Sequence, residues 1–403
     1  MDYNLIFSSL VIFYTTFSNI NWSNQTLAGW VYNGALLLFV LINIRIFKNF
    51  FDTRYVGINI CVLILAIIMI YSGYANADIV FDRETWDGII IESLHATRPD
   101  HAIYTSLKFI SFPLYLQYLN KYSKDRLFLR YFFTIFLVYT IISNFNAIIY
   151  NSPDGGGYLV GNKFFVCYNN ILLITLYFMR YPLLINKKNI IIRPKSLLLI
   201  SLLISIKTEC STGVIGTILM YIFIFKFNNS WKKKLYKWQT YLLLLFTLDI
   251  LFFFYSTTFL NNPIAEFIVV DILGEDLTLS GRLNIYAALV GLLKDCPLWG
   301  YGIGNSHVFT IMNGIGPNAQ NGLFNLMLEV GILGCISFLL MIFMLLKLSR
   351  ENKFSYPIIC LMYTMLILSS VEITFSIMII SMIMMLILNN NPGSDLKLNK
   401  MAV

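Results

Sequence analysis

Ser280, Gly281 and Arg282 stand immediately before an apolar stretch of helical character, Leu283 to Lys294. A helix start leaves backbone N–H groups unpaired, and a guanidinium beside them adds a planar, always-charged fork of donors. Together these groups hold phosphate. The spacing predicts that Ser280 or Gly281 caps the helix and that Arg282 falls in its first turn, although a purely structural cap would use the same residues. Further along, Pro297-Leu-Trp-Gly-Tyr-Gly-Ile-Gly304 supplies glycines that permit a tight backbone path. It lacks the Lys-Ser/Thr ending of a nucleotide-binding loop and no strand precedes it, so it reads as a compact turn that positions its neighbours.

The elements that position these residues are apolar. With 58% hydrophobic and 12% charged residues, a 403-residue chain has too little polar surface to solvate a globule, which places it among integral membrane proteins. Apolar runs begin near Leu5, Gly29, Tyr55, Ala102, Leu127, Lys163, Ser196, Thr212, Thr240, Gly322, Ser355 and Ile373. The expected fold class is therefore an all-α polytopic bundle of about twelve transmembrane helices, with eleven and thirteen left open. The run from Leu5 to Ile20 has no small-residue cleavage site behind it and is read as a retained span. One integrated membrane domain is expected, in three stretches: helices over 1–255, a large external loop over 256–321, and helices with a tail over 322–403.

Basic residues gather in alternate connections: Arg45 to Arg54, Lys121 to Arg130, Arg180 to Lys195, Lys226 to Lys237, Lys347 to Lys353, and the tail. Cytoplasmic connections collect Lys and Arg, so the pattern predicts that both termini are cytoplasmic. The formal charge of +8 is then a topology signal that also brings basic clusters to membrane lipids; nucleic-acid binding is a poor reading of it. Seven cations fall on the external side: Arg83, Arg98, Lys108, Lys163, Lys207, Arg282 and Lys294. Arg83, among Asp82, Glu84 and Asp87, reads as locally neutralised. The others are candidates to grip an anion.

Groups that could take a proton are Glu209 beside Lys207, His307 in the long loop, and Glu92 or Asp100 in the first external segment. His95, His101 and the six scattered cysteines show no metal-ligand spacing, so neither a metal nor a cofactor is expected. Asp249, Glu329 and Glu372 are acids in or beside apolar runs, where an acid needs a partner. Glu329 is expected to orient a loop cation.

The order Thr278-Leu-Ser-Gly-Arg282, Pro297 to Gly304, Ala319-Gln-Asn-Gly322 and Leu328-Glu-Val-Gly-Ile-Leu-Gly334 resembles the O-antigen ligase and polymerase family. Gly161-Asn-Lys-Phe164 and Ser211-Thr-Gly-Val-Ile-Gly216 resemble two further elements of it. The resemblance implies a glycosyltransferase-C-like bundle in the bacterial plasma membrane. It implies transfer of an undecaprenyl-diphosphate-linked oligosaccharide at the external face, with a flippase and chain-length regulators as further partners. Under it Arg282 grips the diphosphate, with Ser280, Gly281, Lys163, Lys207, Arg98, Gln320 and Asn321 as substrate contacts and Glu209 or His307 as proton acceptor.

The departures favour a polymerase over a ligase. Ligases commonly carry histidine where this chain has Gln320, which cannot take a proton near neutral pH. An arginine usual after Ser211 is replaced by Thr212, leaving Lys163 or Lys207 to supply the charge. A ligase-type transferase and a lipid-linked oligosaccharide flippase are the alternatives. Against the flippase stands the asymmetry of one long late loop without a detectable repeat.

Overall fold

Outward apolar stripes define how the helices meet their surroundings. In the computed structural model, which describes residues 2–17, 25–84, 90–96, 99–150, 156–181, 193–251, 282–314, 318–350 and 355–389, the helix α3 (Val56–Ala75) exposes Ile60, Ile64, Ile67 and Tyr71. Those positions recur at helical spacing, so one whole face is apolar. A soluble protein would bury such a stripe; a membrane protein turns it to lipid. The same holds for α13 (Gly322–Leu348), with Ile332, Leu333, Ile336 and Leu340 exposed.

In chain order the other helices are α1 (Tyr3–Thr16), α2 (Gln25–Ile42), α4 (Pro99–Lys121), α5 (Asp125–Ile149), α6 (Lys163–Arg180), α7 (Pro194–Lys207) and α8 (Ser211–Tyr221). They are followed by α9 (Asn229–Leu235), α10 (Trp238–Leu245), α11 (Arg282–Asp295), α12 (Ser306–Met312), α14 (Tyr356–Ser369) and α15 (Ile377–Met384). A helix lies at or directly after each predicted apolar run. Among the described residues three of them, α3, α5 and α13, are long and apolar enough to cross a membrane by themselves, and six further apolar helices are shorter. The chain is thus an all-α membrane protein, and the described residues do not display twelve full-length spans. Two short helices gain length from irregular turns: α8 runs into a π turn at Ile222–Lys226 and α10 into another at Phe246–Leu251.

Buried polar side chains, paired across helices, explain why α4 and α6 read as less apolar. Gln117 of α4 and Asn59 of α3 exchange two amide hydrogen bonds, 2.5 and 3.2 Å, and Asn144 of α5 and Asn170 of α6 do the same at 2.9 and 2.8 Å. Such pairs fix register where apolar packing alone would let helices slide. Lys108, expected as an external cation, is instead buried on α4. Its ammonium donates to the Thr15 carbonyl at 3.2 Å and lies over the Tyr32 ring, so it ties α4 to α1 and α2.

Two small hairpins interrupt the helical pattern and were not anticipated. Val80–Glu84 (β1) pairs antiparallel with Ile90–His95 (β2), which places Arg83 opposite Glu92 in register. Gly156–Tyr158 (β3) pairs with Gly161–Asn162 (β4), and Gly157 and Gly161, within the two short strands, take positive φ where the register is irregular.

A seam of small residues closes the second half. A Cβ added to Gly213 of α8 would lie 2.7 Å from the Cys167 sulfur of α6, and one on Gly216 would meet Ile171 and Leu368. The Ser211 to Gly216 motif therefore works here as close helix packing among α6, α8 and α14.

Candidate functional site

The Pro297 to Gly304 motif and the Leu328 to Gly334 motif are one structure. Gly331 sits at φ 66°, ψ −176° inside α13, a conformation that only glycine adopts without strain, and it breaks the helical ladder there. The turn fills the break. Tyr301 and Gly302 donate their amides to the carbonyls of Leu328 (2.7 Å) and Glu329 (3.0 Å), and Leu333 donates to the Leu298 carbonyl (3.1 Å). Contact is backbone to backbone: a Cβ on Gly300 would lie 2.5 Å from the Gly331 nitrogen.

Glu329 belongs to this junction. Its Oε1 accepts hydrogen bonds from the Gly304 amide at 3.3 Å and the Ser306 hydroxyl at 3.4 Å. The expected cation partner does not stand beside it among the described contacts. The carboxylate instead collects donors that the turn leaves open.

The helix α11, described from Arg282 onward, packs onto this junction through a small core of Tyr286, Leu289, Tyr301, Phe309, Phe324 and Leu328. Tyr286 is 2% exposed, and its hydroxyl donates to the carbonyls of Gln320 (3.0 Å) and Ser370 (2.9 Å). Arg282 precedes Tyr286 by four residues in α11. Arg98 lies outside the described residues, and so does the whole segment 252–281, which includes Ser280 and Gly281.

Gln320, at φ +50°, turns the chain into α13, and Asn321 caps that helix by accepting the Phe324 amide at 3.0 Å. Asn321 is fully buried, and its Nδ2 faces Asp249 Oδ1 at 3.5 Å. The side chain of Asn321, expected to contact a substrate, is engaged by the cap and by Asp249. Gly322 has no room for a side chain, with Ser369 Cβ and the Thr374 nitrogen 3.0 and 3.2 Å from an added Cβ.

Asp249 is the group at this corner whose chemistry is least spent. It stands in the π turn after α10, fully buried, and takes a 2.6 Å hydrogen bond from the Ser369 hydroxyl on Oδ1. Its Oδ2 has no hydrogen-bond partner among the described residues. A carboxyl so placed can hold a proton or accept one from a neighbouring hydroxyl.

A second group lies around the same end of α14. Asn162 caps α6 through the Phe165 amide (3.1 Å), and Lys163, the first residue of α6, donates to the Glu209 carbonyl at 3.1 Å. Glu209 is exposed and also at positive φ, 51°. Among the described residues only Ser123, Glu209 and Gln320 are non-glycine residues in that region, so two of the three are positions singled out from sequence. Lys207 is exposed two residues before Glu209. Beside them the Cys210 thiol is held below the ordinary thiol range by hydrogen bonding with Cys167, with help from Thr212, the Gly213 amide and Lys163.

The groups adjoin through α6 and α14. Tyr168 of α6 lies within electrostatic range of Cys210 on one side and Glu372 on the other, and the Glu372 carbonyl packs on Gly322. Of the residues singled out from sequence, Lys163 is thus joined to Glu209, with Lys207 two residues before it, and Gln320 accepts from Tyr286 of α11, the helix that carries Arg282. His307 is exposed on α12, and its side chain makes no hydrogen bond among the described residues. Tyr286 and Ser369 were missed. For Tyr286 the signal was its position four residues after Arg282; Ser369 gave none.

Compared with protein-family models, curated proteins and solved structures, the chain matches none of them.

Proposed function

We propose that the chain is a polysaccharide polymerase of the bacterial plasma membrane, with about twelve spans and both termini cytoplasmic. It transfers an undecaprenyl-diphosphate-linked glycan onto the next lipid-linked repeat unit at the external face. One observation supports this reading: Tyr286 of α11, four residues after Arg282, is bonded to the Gln320 corner, where Asn321 faces Asp249.

In this mechanism the α11 amino end and the Arg282 guanidinium hold the donor diphosphate. The acceptor hydroxyl attacks the anomeric carbon while the carbon–oxygen bond to the diphosphate breaks, and the electron pair leaves with the phosphate. Arginine stabilises the charge that develops there. Lys163 and Lys207 add positive potential across the same end of the bundle. The acceptor proton passes to a carboxylate; Glu209 stands beside Lys163, and Asp249 has an oxygen to spare. His307, exposed on α12, is a further candidate for that role.

Purified protein given lipid-linked repeat units should produce a ladder of products without ATP or an ion gradient. A flippase would move the lipid and leave single units, which would refute the proposal. Within the same assay, Lys163→Ala is expected to lower ladder formation about tenfold, the worth of one charge-assisted contact. Its 3.1 Å bond to Glu209 is exposed, so folding should change by less than about 1 kcal/mol. Equal protein level with unchanged ladder yield would remove Lys163 from the site.

A further inference from the structure

At the opposite end of the bundle, where the basic connections gather, a cavity of about 610 Å³ opens between α10 and α13. Among the described residues its lining is Tyr236, Lys237, Trp238, Phe343, Lys347 and Arg350, together with Gln239 and Leu346, with no acid among them. The volume lies within the range of about 300–1,000 Å³ typical of small-ligand sites.

The three cations differ from their neighbours in how they are satisfied. Lys232 lies over the Tyr356 ring at 5.0 Å and Lys234 over the Trp231 ring at 4.1 Å, so aromatic faces take up both charges. Lys237, Lys347 and Arg350 are exposed, and none has an ion-pair or aromatic partner among the described residues. Three like charges around one concavity repel each other unless an anion sits between them. The start of α10 at Trp238 adds positive potential of the same sign.

The aromatic part of the wall fixes the kind of anion. Trp238 packs edge-on against Phe343 at 5.6 Å while remaining 41% exposed, and Trp231 on the adjoining helix is 51% exposed. Half-exposed tryptophans beside lysines at the ends of apolar helices mark the depth of lipid head groups. We propose that this cavity binds the phosphate head group of an anionic phospholipid, with Lys237, Lys347 and Arg350 on the phosphate and Trp238 and Phe343 along the first carbons of the acyl chains. The inference rests on this cavity alone and is independent of the transferase reading.

The test uses the purified full-length protein in a neutral detergent, titrated with dioleoyl phosphatidylglycerol, dioleoyl phosphatidylcholine or inorganic phosphate while the thermal midpoint is followed. Phosphatidylglycerol is expected to raise the midpoint saturably, and the other two are not. Each neutralised cation should weaken the apparent affinity about fivefold, so K237Q/K347Q/R350Q together should weaken it roughly a hundredfold. Lys234→Gln, whose charge is already covered by Trp231, should leave it unchanged. Should the triple variant not fold, Lys347→Gln alone reads out the fivefold step and Lys347→Arg should restore it. An equal response to phosphatidylcholine, or full affinity in the charge-neutral variants, overturns the proposal. A response reproduced by inorganic phosphate overturns the lipid as the source of the anion.

Discussion

Replacing Arg282 with lysine is expected to cut polymer formation roughly tenfold to a hundredfold, because an ammonium keeps the charge but loses the paired donors that match phosphate oxygens. Alanine at the same position should cost more, about a hundredfold to a thousandfold, the usual loss when a donor to developing charge is removed. The ordering is the informative part. A merely structural role at the start of α11 would be served by lysine or alanine nearly as well, since both are good helix formers. Arg282→Lys at normal protein level and with wild-type polymer would therefore remove the central element of the proposed mechanism. The readout should separate chain number from chain length, because weaker donor binding lowers initiation and extension together.

The second large effect concerns folding. Gly331→Ala should destabilise the protein by at least about 3 kcal/mol, since the position adopts a glycine-only conformation and the new methyl has nowhere to go. An added Cβ would lie 2.1 Å from the Leu298 carbonyl oxygen and 2.5 Å from the Gly300 nitrogen. The turn would have to withdraw, breaking the bonds from Tyr301, Gly302 and Leu333. Gly291→Ala supplies the contrast: Gly291 lies within α11 with nothing inside 4 Å of an added Cβ, so alanine there should be neutral or stabilising by up to about 1 kcal/mol. Thermal midpoints of the two variants in the same detergent decide the matter. Similar midpoints would mean that the interlock between the turn and α13 does not hold the fold.

These two residues also show what the amino-acid order reveals and what it conceals. A helix over the run after Arg282 was legible because an apolar stretch of helical character follows the Ser-Gly-Arg step, and α11 covers it. The positions of the helices were legible for the same reason, as hydrophobic runs punctuated by basic clusters. Gly331 was visible as part of a motif but its job was not, because that job depends on a turn about thirty residues earlier in the chain. Nor could spacing alone show that Asn321 would be spent on a cap and on Asp249, or that Lys108 would be buried against Thr15 and Tyr32. Each of those outcomes follows from contacts between distant segments, and a single sequence carries no direct record of them. The pair of half-buried Lys163 and exposed Glu209 lies between these cases: residue types and neighbours marked both, while the bond joining them needed α6 and α7 to be side by side.

The interrupted α13 has a bearing on how the chain is made. Inside hydrocarbon an unmet carbonyl is penalised by several kcal/mol, so a membrane helix broken at Gly331 is a poor candidate to leave the insertion machinery alone. The amides that complete it, on Tyr301 and Gly302, leave the ribosome before the helix does. Synthesis in that order has the splint waiting when the fractured rod arrives; a polypeptide permuted to reverse the order would have to shelter the exposed carbonyls until the splint was delivered.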